Sequence, residues 1–358
     1  LDEDRVVITP FEADLRNATS LRRARGYVGY DAGRLNGWIL HPLIGVSSVE
    51  LFLDDTAIGS AALEPVPSVG RDHPHIDHAV ISGFSVPFEP ADTSRLHRFR
   101  VIGYSGDTPA VAADCLLLID VDAVAPASQP LPPQELITRV SGSPDQRLHR
   151  SLGYRYCMQL LEQVQRYGDI SGLKNVLDWG CGCGRLTFHV QRNCPPGCLL
   201  DGCDVDAEAV QWCSENLAPA RFTVIDPSPP TVYPPSTFDL VMGLSVITGL
   251  AREGQKVWLD ELARIIAPGG LLLISIQGLF SASFLYPSHQ LDVLFGNGIF
   301  DSIRREQLNG SVEIGPYLGT FQTIEYVKRE WLEHFELLDW LEGEINSDQD
   351  LLVLRRRA

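Results

Sequence analysis

Between Gly26 and Asp120 the apolar residues come in short runs, Gly37 to Leu40, Val49 to Leu53, Ser82 to Phe88, His97 to Ser105 and Ala112 to Ile119, separated by Gly, Pro and Asp. No stretch there holds a helical period for long. Short runs punctuated by turn residues predict an all-β sandwich. Asp54-Asp55, set between two alternating runs, predicts a hairpin turn. From Val124 to Pro144 Ala, Pro, Ser and Gln take over, and Pro126, Pro130, Pro132 and Pro133 forbid a regular helix or a central strand. A stiff linker is expected there. The division that follows is residues 1–122 for an N-terminal extension and β-sandwich, 123–144 for the linker and 145–358 for a second domain.

Leu148, Leu152, Tyr156, Leu160 and Val164 recur at helical spacing up to Gly168, which predicts an amphipathic helix leading into the second domain. After Ser171 strands and helices alternate. Strands are expected at Val176-Leu177, Leu199-Leu200, Phe222 to Ile225, Phe238 to Leu244 and Leu271 to Ile276, and helices from Arg185, from Ala207 to Leu217 and from Gly254 to Ile266. Such alternation specifies parallel strands joined by right-handed crossovers, hence a doubly wound α/β sheet of Rossmann-like type. Phe335 to Leu341 and Asp350 to Leu354 break the rhythm with no helix between them and predict a terminal antiparallel hairpin, for seven strands in all.

Composition narrows the partners. A chain of 358 residues fits two domains, and 44% hydrophobic with 21% charged residues is ordinary for a soluble protein. No apolar run reaches the roughly 18 residues that span a bilayer, so no membrane span is expected. The formal net charge of -17 argues against a nucleic-acid partner, because phosphate binding draws on clustered Lys and Arg. The opening Leu1-Asp2-Glu3-Asp4 has no basic-plus-apolar leader, so no signal peptide is expected, and a first residue other than Met points to trimming or a fragment.

Seven of the eight cysteines lie between Cys157 and Cys213, crowded into one region instead of spread as a disulfide framework, which favours a reducing cytoplasm. Cys194 and Cys198, with Cys181, Cys183 and Cys203 nearby, could hold a metal or form a redox pair. Small buried residues in turns and strands are the preferred reading, and no metal is expected. The other conspicuous cluster, Arg71-Asp72-His73-Pro74-His75-Ile76-Asp77-His78, could bind a divalent ion. Its spacing matches no established ligand pattern, and a polar loop between strands is preferred.

The chemistry concentrates in Asn175-Val176-Leu177-Asp178-Trp179-Gly180-Cys181-Gly182-Cys183-Gly184-Arg185, a strand ending in an acid, then three alternate glycines opening a helix. A ligand across a strand's carboxyl end needs backbone without Cβ atoms, and the following helix start presents free N–H groups. Asp178 at the strand's edge can receive an ammonium group. A nicotinamide-binding domain competes, but its glycines are spaced G-x-G-x-x-G. About twenty residues on, Leu199-Leu200-Asp201-Gly202-Cys203-Asp204-Val205-Asp206 ends a second strand in acids, where a carboxylate can accept two ribose hydroxyls.

An acid followed by Gly-x-Gly-x-Gly resembles the first motif of class I S-adenosylmethionine (SAM) dependent methyltransferases. The resemblance covers roughly Leu148 to Arg355 and is closest to uncharacterised bacterial methyltransferases that accompany glycan synthesis genes. It implies SAM as cofactor, S-adenosylhomocysteine (SAH) as product, and Asp178, Gly180, Cys181, Gly182 and Gly184 at the cofactor. It further implies Asp204 on the ribose, Val205 near the adenine and Asp206 capping the next helix. Asp226, after the strand Arg221 to Ile225, stands where such enzymes hold the adenine amino group, although Asp226-Pro227 is also ordinary turn chemistry. Phe238-Asp239-Leu240 through Leu244 and Ser245, then Glu261-Leu262-Ala263-Arg264 and Pro268-Gly269-Gly270, is similar to the family's fourth strand, helix and turn. Leu244 falls on the cofactor side and Ser245 on the methyl side.

In those relatives the loop after the fourth strand and the segment before the last helix each carry a His. Gly249 and Gln322 stand there in this chain, which puts the family's acid-base arrangement in doubt. The segment Gly278 to Gln322, with Tyr286, His289, Asp292 and Tyr317, is long enough to form an acceptor lid. His289 is the candidate base, with Ser245 and Gln322 as further acceptor-side candidates. Ahead of this domain, Gly37-Trp38-Ile39, Val49 to Asp54, Ser82-Gly83-Phe84 and His97 to Tyr104 resemble small immunoglobulin-like domains found beside sugar-modifying enzymes. The expected activity is O-methylation of a glycan or sugar-derived acceptor, with the β domain positioning the acceptor or a partner enzyme. The alternatives are a SAM-binding adaptor that has lost catalysis and a small-molecule methyltransferase of secondary metabolism.

Overall fold

A computed structural model describes residues 21–124, 129–303 and 318–358. The N-terminal extension up to Ser20, Pro126 of the expected linker and Tyr317 of the expected lid lie outside the described residues. Two compact units emerge. The first holds the chain up to Asp120 together with Phe280–Gly296, and the second holds Val121–Leu279 and Asn297–Ala358. No described helix is long and apolar enough to cross a membrane.

The first unit carries β1 (Arg22–Arg23), β2 (Arg25–Asp31), β3 (Arg34–Leu40), β4 (Ser48–Leu53), β5 (Thr56–Ala62), β6 (Glu64–Pro65), β7 (Ile81–Pro87), β8 (Leu96–Ser105) and β9 (Thr108–Leu118). They form a five-stranded sheet ordered β1-β9-β8-β4-β5 and a four-stranded sheet ordered β2-β3-β7-β6. In β8 His97, Phe99, Val101 and Gly103 are buried while Arg98 and Arg100 face out, the alternation of a strand with one wet face. Val28, Leu35, Phe84 and Val86 of the smaller sheet and Leu51, Phe99, Val101 and Val111 of the larger one share a single apolar cluster. Asp54 and Asp55 turn the β4–β5 hairpin with φ of 48° and 63°, the paired left-handed residues that match strand twist.

The segment expected to be an acceptor lid is built differently. The helix Leu279–Leu285 places Phe280 and Phe284 four residues apart on one face, and both join Leu40, Val69, Ile76 and Ala79 in a second cluster of the first unit. The guanidinium groups of Arg23 and Arg25 lie 5.9 and 5.4 Å from the centres of the Phe280 and Phe284 rings. The imidazoles of the Arg71–His78 cluster bond main-chain carbonyls: His73 Nδ1 to Phe284 O at 2.7 Å, His75 Nε2 to Ser283 O at 3.4 Å, and His78 Nε2 to His41 O at 2.8 Å. Their positions are those of hydrogen-bonding clamps in the last turn of that helix and on the chain after β3.

The second unit carries β10 (Asn175–Trp179), β11 (Leu199–Asp204), β12 (Arg221–Val224), β13 (Phe238–Gly243), β14 (Ile266–Ile276), β15 (Ile299–Ile303), β16 (Leu318–Gln322), β17 (Phe335–Ile345) and β18 (Gln349–Arg356). Seven of them make one sheet ordered β12-β11-β10-β13-β14-β18-β17, and β15 pairs with β16. The pairs from β12 to β14 are parallel, and β18 runs antiparallel to both β14 and β17. Leu177, Val241, Leu272 and Ile274 belong to one apolar cluster and Val176, Leu240, Met242 and Leu273 to another, so the central strands are apolar on both faces.

The stretch expected to be a bare linker contains the helix Gln134–Ser141. Pro133 precedes it and Gly142 ends it at φ 67°, so the prolines stop short of a helix instead of excluding one. Leu136 of that helix packs with Cys183 and Ala209, which makes the helix part of the second unit. Phe284 is fully buried, so Phe284→Ala should destabilise the first unit by about 3–5 kcal/mol, read as a lowered urea midpoint.

Candidate functional site

Strand β10 lies between β11 and β13 inside the sheet, and its carboxyl end opens into the glycine loop. Gly180, Gly182 and Gly184 hold φ of 74°, 50° and 73°, a region where a Cβ is strained. Space forbids one as well. A Cβ at Gly180 would lie 2.2 Å from Val246 Cγ2, and one at Gly182 would lie 2.6 Å from Val140 Cγ1. The loop amides bond to β11. Cys203 O accepts from Gly180 N–H at 2.8 Å and from Cys181 N–H at 3.0 Å, and Asp204 Oδ2 accepts from Gly182 N–H at 2.7 Å. Buried donors must be satisfied, and the neighbouring strand is within reach. The helix itself starts only at Thr187, after a run of turns.

Two carboxylates face the resulting cavity. Asp178 is 3% exposed, accepts the Thr187 hydroxyl at 2.5 Å on Oδ2, and among the described residues has no cation in ion-pair contact. Burial lifts its pKa from 3.8 to about 6, opposed by the bonds to Thr187 and by the Arg185 charge and aided by the Asp204 charge. Asp204 accepts Gly182 N–H on Oδ2 and Asp206 N–H on Oδ1 at 2.9 Å, and burial also raises its pKa. A carboxylate has about four lone-pair sites, so each acid keeps acceptor capacity beyond these bonds.

The cavity measures about 330 Å³, and its remaining walls come from residues far apart in sequence. Trp179 and Trp258 contribute indoles whose centres lie 5.0 Å apart, and Trp258 Nε1–H donates to Pro227 O at 3.1 Å. The Arg185 guanidinium lies 5.2 Å from the Tyr156 ring centre and donates from Nη1 to Ser141 Oγ at 3.2 Å. Arg139 pairs with Asp206 at 2.9 Å and Glu208 at 2.7 Å, drawing the helix Gln134–Ser141 against the glycine loop.

Of the residues expected at the cofactor, Asp178, Gly180, Cys181, Gly182, Asp204, Val205 and Leu244 line this cavity. Gly184 lies behind it, where a Cβ would meet Leu217 Cδ1 at 2.2 Å. Asp226 is exposed, and its neighbours Ile225 and Pro227 form the wall in its place. A strand points alternate side chains to opposite sides, and the chain at 226 is leaving β12. Asp206 caps the next helix, accepting from Glu208 N–H and Ala209 N–H.

The acceptor-side candidates fare differently. Ser245 lines the cavity, but its hydroxyl donates to Gln349 Oε1 at 3.0 Å. Gln322 is buried outside the cavity walls, with its N–H on Gln277 O at 2.9 Å. His289 is an exposed residue of the first unit, on the helix Ser288–Asn297. Arg139, Val140 and Trp258 were not singled out from sequence, and Tyr156, Trp179 and Arg185 were read only as parts of a helical stripe or of the glycine motif.

Residues 176–270 match the family model for a methyltransferase domain. The match runs from β10 to β14 and so contains the glycine loop and both carboxylates. The chain is similar to tRNA N(3)-cytidine methyltransferase METTL2 of Gallus gallus, 24% identical over 145 residues, covering 37% of this chain and 39% of the relative. It is also similar to the tRNA (carboxymethyluridine(34)-5-O)-methyltransferase of Arabidopsis thaliana, 28% identical over 102 residues, covering 28% of this chain and 23% of the relative. The chain therefore spans less than two-fifths of the length of these curated relatives. Among solved structures it resembles a SAM-dependent methyltransferase from Methanosarcina mazei at 18% identity and a TM-score of 0.42, covering 55% of this chain and 97% of the other.

The matched stretch of the second unit is thus similar to a methyltransferase domain, and the cofactor which that likeness implies is SAM. The residues fit that group: a buried acid without an ion-pair partner can receive its ammonium, a second acid its ribose hydroxyls, and the glycine backbone leaves room that side chains would fill. Docking a cation beside Asp178 favours the ionised carboxylate, so binding below about pH 6 releases a proton and SAH affinity should fall as pH drops through that range. The same shift has a stability consequence. A carboxyl whose pKa is higher folded than unfolded binds more protons in the folded state, so its cost to folding grows from about pH 4 to about pH 6 and then levels off. Asp178→Asn should therefore gain up to about 3 kcal/mol in urea unfolding above pH 7 and little at pH 4, while weakening SAH binding.

Proposed function

We propose that the chain transfers the methyl group of SAM to a hydroxyl of a glycan or sugar-derived acceptor. The observation that carries the cofactor half is the pair Asp178 and Asp204 on one glycine-lined cavity inside the matched domain. SAM brings an activated methyl on a sulfonium centre, so methyl transfer needs alignment and exclusion of water more than activation by the protein. Asp178 holds the ammonium end and Asp204 the ribose, while Trp179, Trp258 and Ile225 supply apolar walls and Arg139 anchors the helix that closes one side.

The acceptor half rests on charge. A net charge of -17 opposes a polyanion, and Arg139 on the cavity wall is already paired with two carboxylates. An alcohol acceptor must lose its proton, and both acids of the described cavity walls are taken up by the cofactor in this reading, so the base is to be sought beyond those two. The two sheets around one core in the first unit support an immunoglobulin-like reading, with that unit positioning the acceptor or a partner enzyme. A tRNA acceptor is the second reading, favoured by the names of the two curated relatives. A SAM-binding adaptor without catalysis is supported by Gly249 on the cavity wall and Gln322 outside it, the two positions where the resembling methyltransferases carry His.

SAH release with sugars, lipid-linked glycans and tRNA separates these readings. Turnover with a saccharide supports the first, turnover with tRNA alone replaces it, and SAH binding without turnover on any acceptor favours the adaptor. Asp204→Ala should weaken SAH binding about tenfold or more in isothermal titration, since it removes charge-assisted hydrogen bonds. Unchanged affinity would remove Asp204 from the site.

A further inference from the structure

The loop Leu244–Val246 forms one wall of the cavity directly after β13, and Val246 is the residue against Gly180. At its centre Ser245 holds φ 61°, a left-handed conformation uncommon for a residue with a Cβ. Three hydrogen bonds surround it. Ser245 N–H donates to Ser275 Oγ at 2.7 Å, Ser275 Oγ–H donates to Gln349 Oε1 at 2.7 Å, and Ser245 Oγ–H donates to the same Oε1 at 3.0 Å. The directions are mutually determined. Ser275 Oγ uses a lone pair on the Ser245 amide, its own proton goes to Gln349, and Gln349 therefore turns its oxygen inward.

Ser275 is fully buried in β14, and Gln349 opens β18 just after the turn that reverses the terminal hairpin. Gln349 bonds the wall residue Ser245 and is not itself among the lining residues. We infer that Gln349, acting through Ser275, is a positioning residue for the cofactor cavity: it holds Ser245 in its left-handed backbone so that Leu244 and Val246 face the cavity. The inference rests on the cavity being the SAM site. It gives the terminal hairpin a role in the site that lies more than a hundred residues away in sequence, at the loop after β13.

The test uses the full chain and two readouts, amide hydrogen exchange at Ser245 without ligand and SAH affinity by titration. Gln349→Leu and Ser275→Ala should each speed exchange at Ser245 about tenfold and weaken SAH about tenfold. Glycine adopts positive φ without strain, so Ser245→Gly placed in the Gln349→Leu background should recover most of the lost affinity, a rescue that general destabilisation cannot produce. Wild-type SAH affinity in Gln349→Leu, or no recovery with Ser245→Gly, overturns the positioning role. Should Gln349→Leu fail to fold, Ser275→Ala carries the same comparison, with Ser245→Gly added to it. Failure of the wild-type chain to bind SAH sinks the cofactor reading alone, and exchange at Ser245 then decides whether the network holds the loop.

Discussion

The backbone of Gly180, Cys181 and Gly182 runs within hydrogen-bonding reach of the end of β11, and the rest of the site depends on that approach. Cys203 O accepts two loop amides and Asp204 a third, so the loop is fastened to the neighbouring strand before any ligand arrives. Side chains at the glycines would push Val246 and Val140 away and open the wall. The close contact also puts Asp178 and Asp204 on the walls of the same cavity, because β10 and β11 are in parallel register with Asp178 opposite Gly202.

Close packing has an electrostatic cost. Asp178 is desolvated, and its bonds to Thr187 and the charge of Arg185 only partly offset that burial, which leaves an acid whose ionised form a docking cation would favour. Such an acid weakens the fold, a cost that functional sites commonly carry. The walls around it are rigid for independent reasons: Arg139 is paired twice, Trp258 is hydrogen-bonded to the chain after β12, and Ser245 is bound to Ser275 and Gln349. Preorganisation of this kind reduces what must be ordered when the ligand binds.

The first unit is completed by a segment drawn from beyond β14. Phe280 and Phe284 fill its second apolar cluster, and His73 and His75 bond the last carbonyls of their helix. Residues 280–296 therefore contribute to a core whose other members all precede Asp120, so the two units exchange chain twice after β14. His289, read from sequence as a catalytic candidate, sits on this exchanged segment.

Local chemistry was legible in the sequence wherever a residue's role depends on its immediate neighbours. The alternation of strands and helices after Ser171, the terminal hairpin, the Asp54-Asp55 turn, the strained glycine loop and the acids ending β10 and β11 all follow from period, turn chemistry and spacing. What depends on distant parts of the chain was not legible. The helix Gln134–Ser141 hides in a proline-rich stretch and matters only because Leu136 and Arg139 meet partners near Cys183 and Asp206. Ser245 reads as an acceptor contact until Gln349 is seen beside it. Phe280 and Phe284 give an ordinary apolar helix face, and whether that face covers an acceptor or fills a core depends on which apolar surface is within reach. Periodicity along a chain specifies which side of an element is apolar, whereas the surface that side meets is chosen by the tertiary arrangement alone.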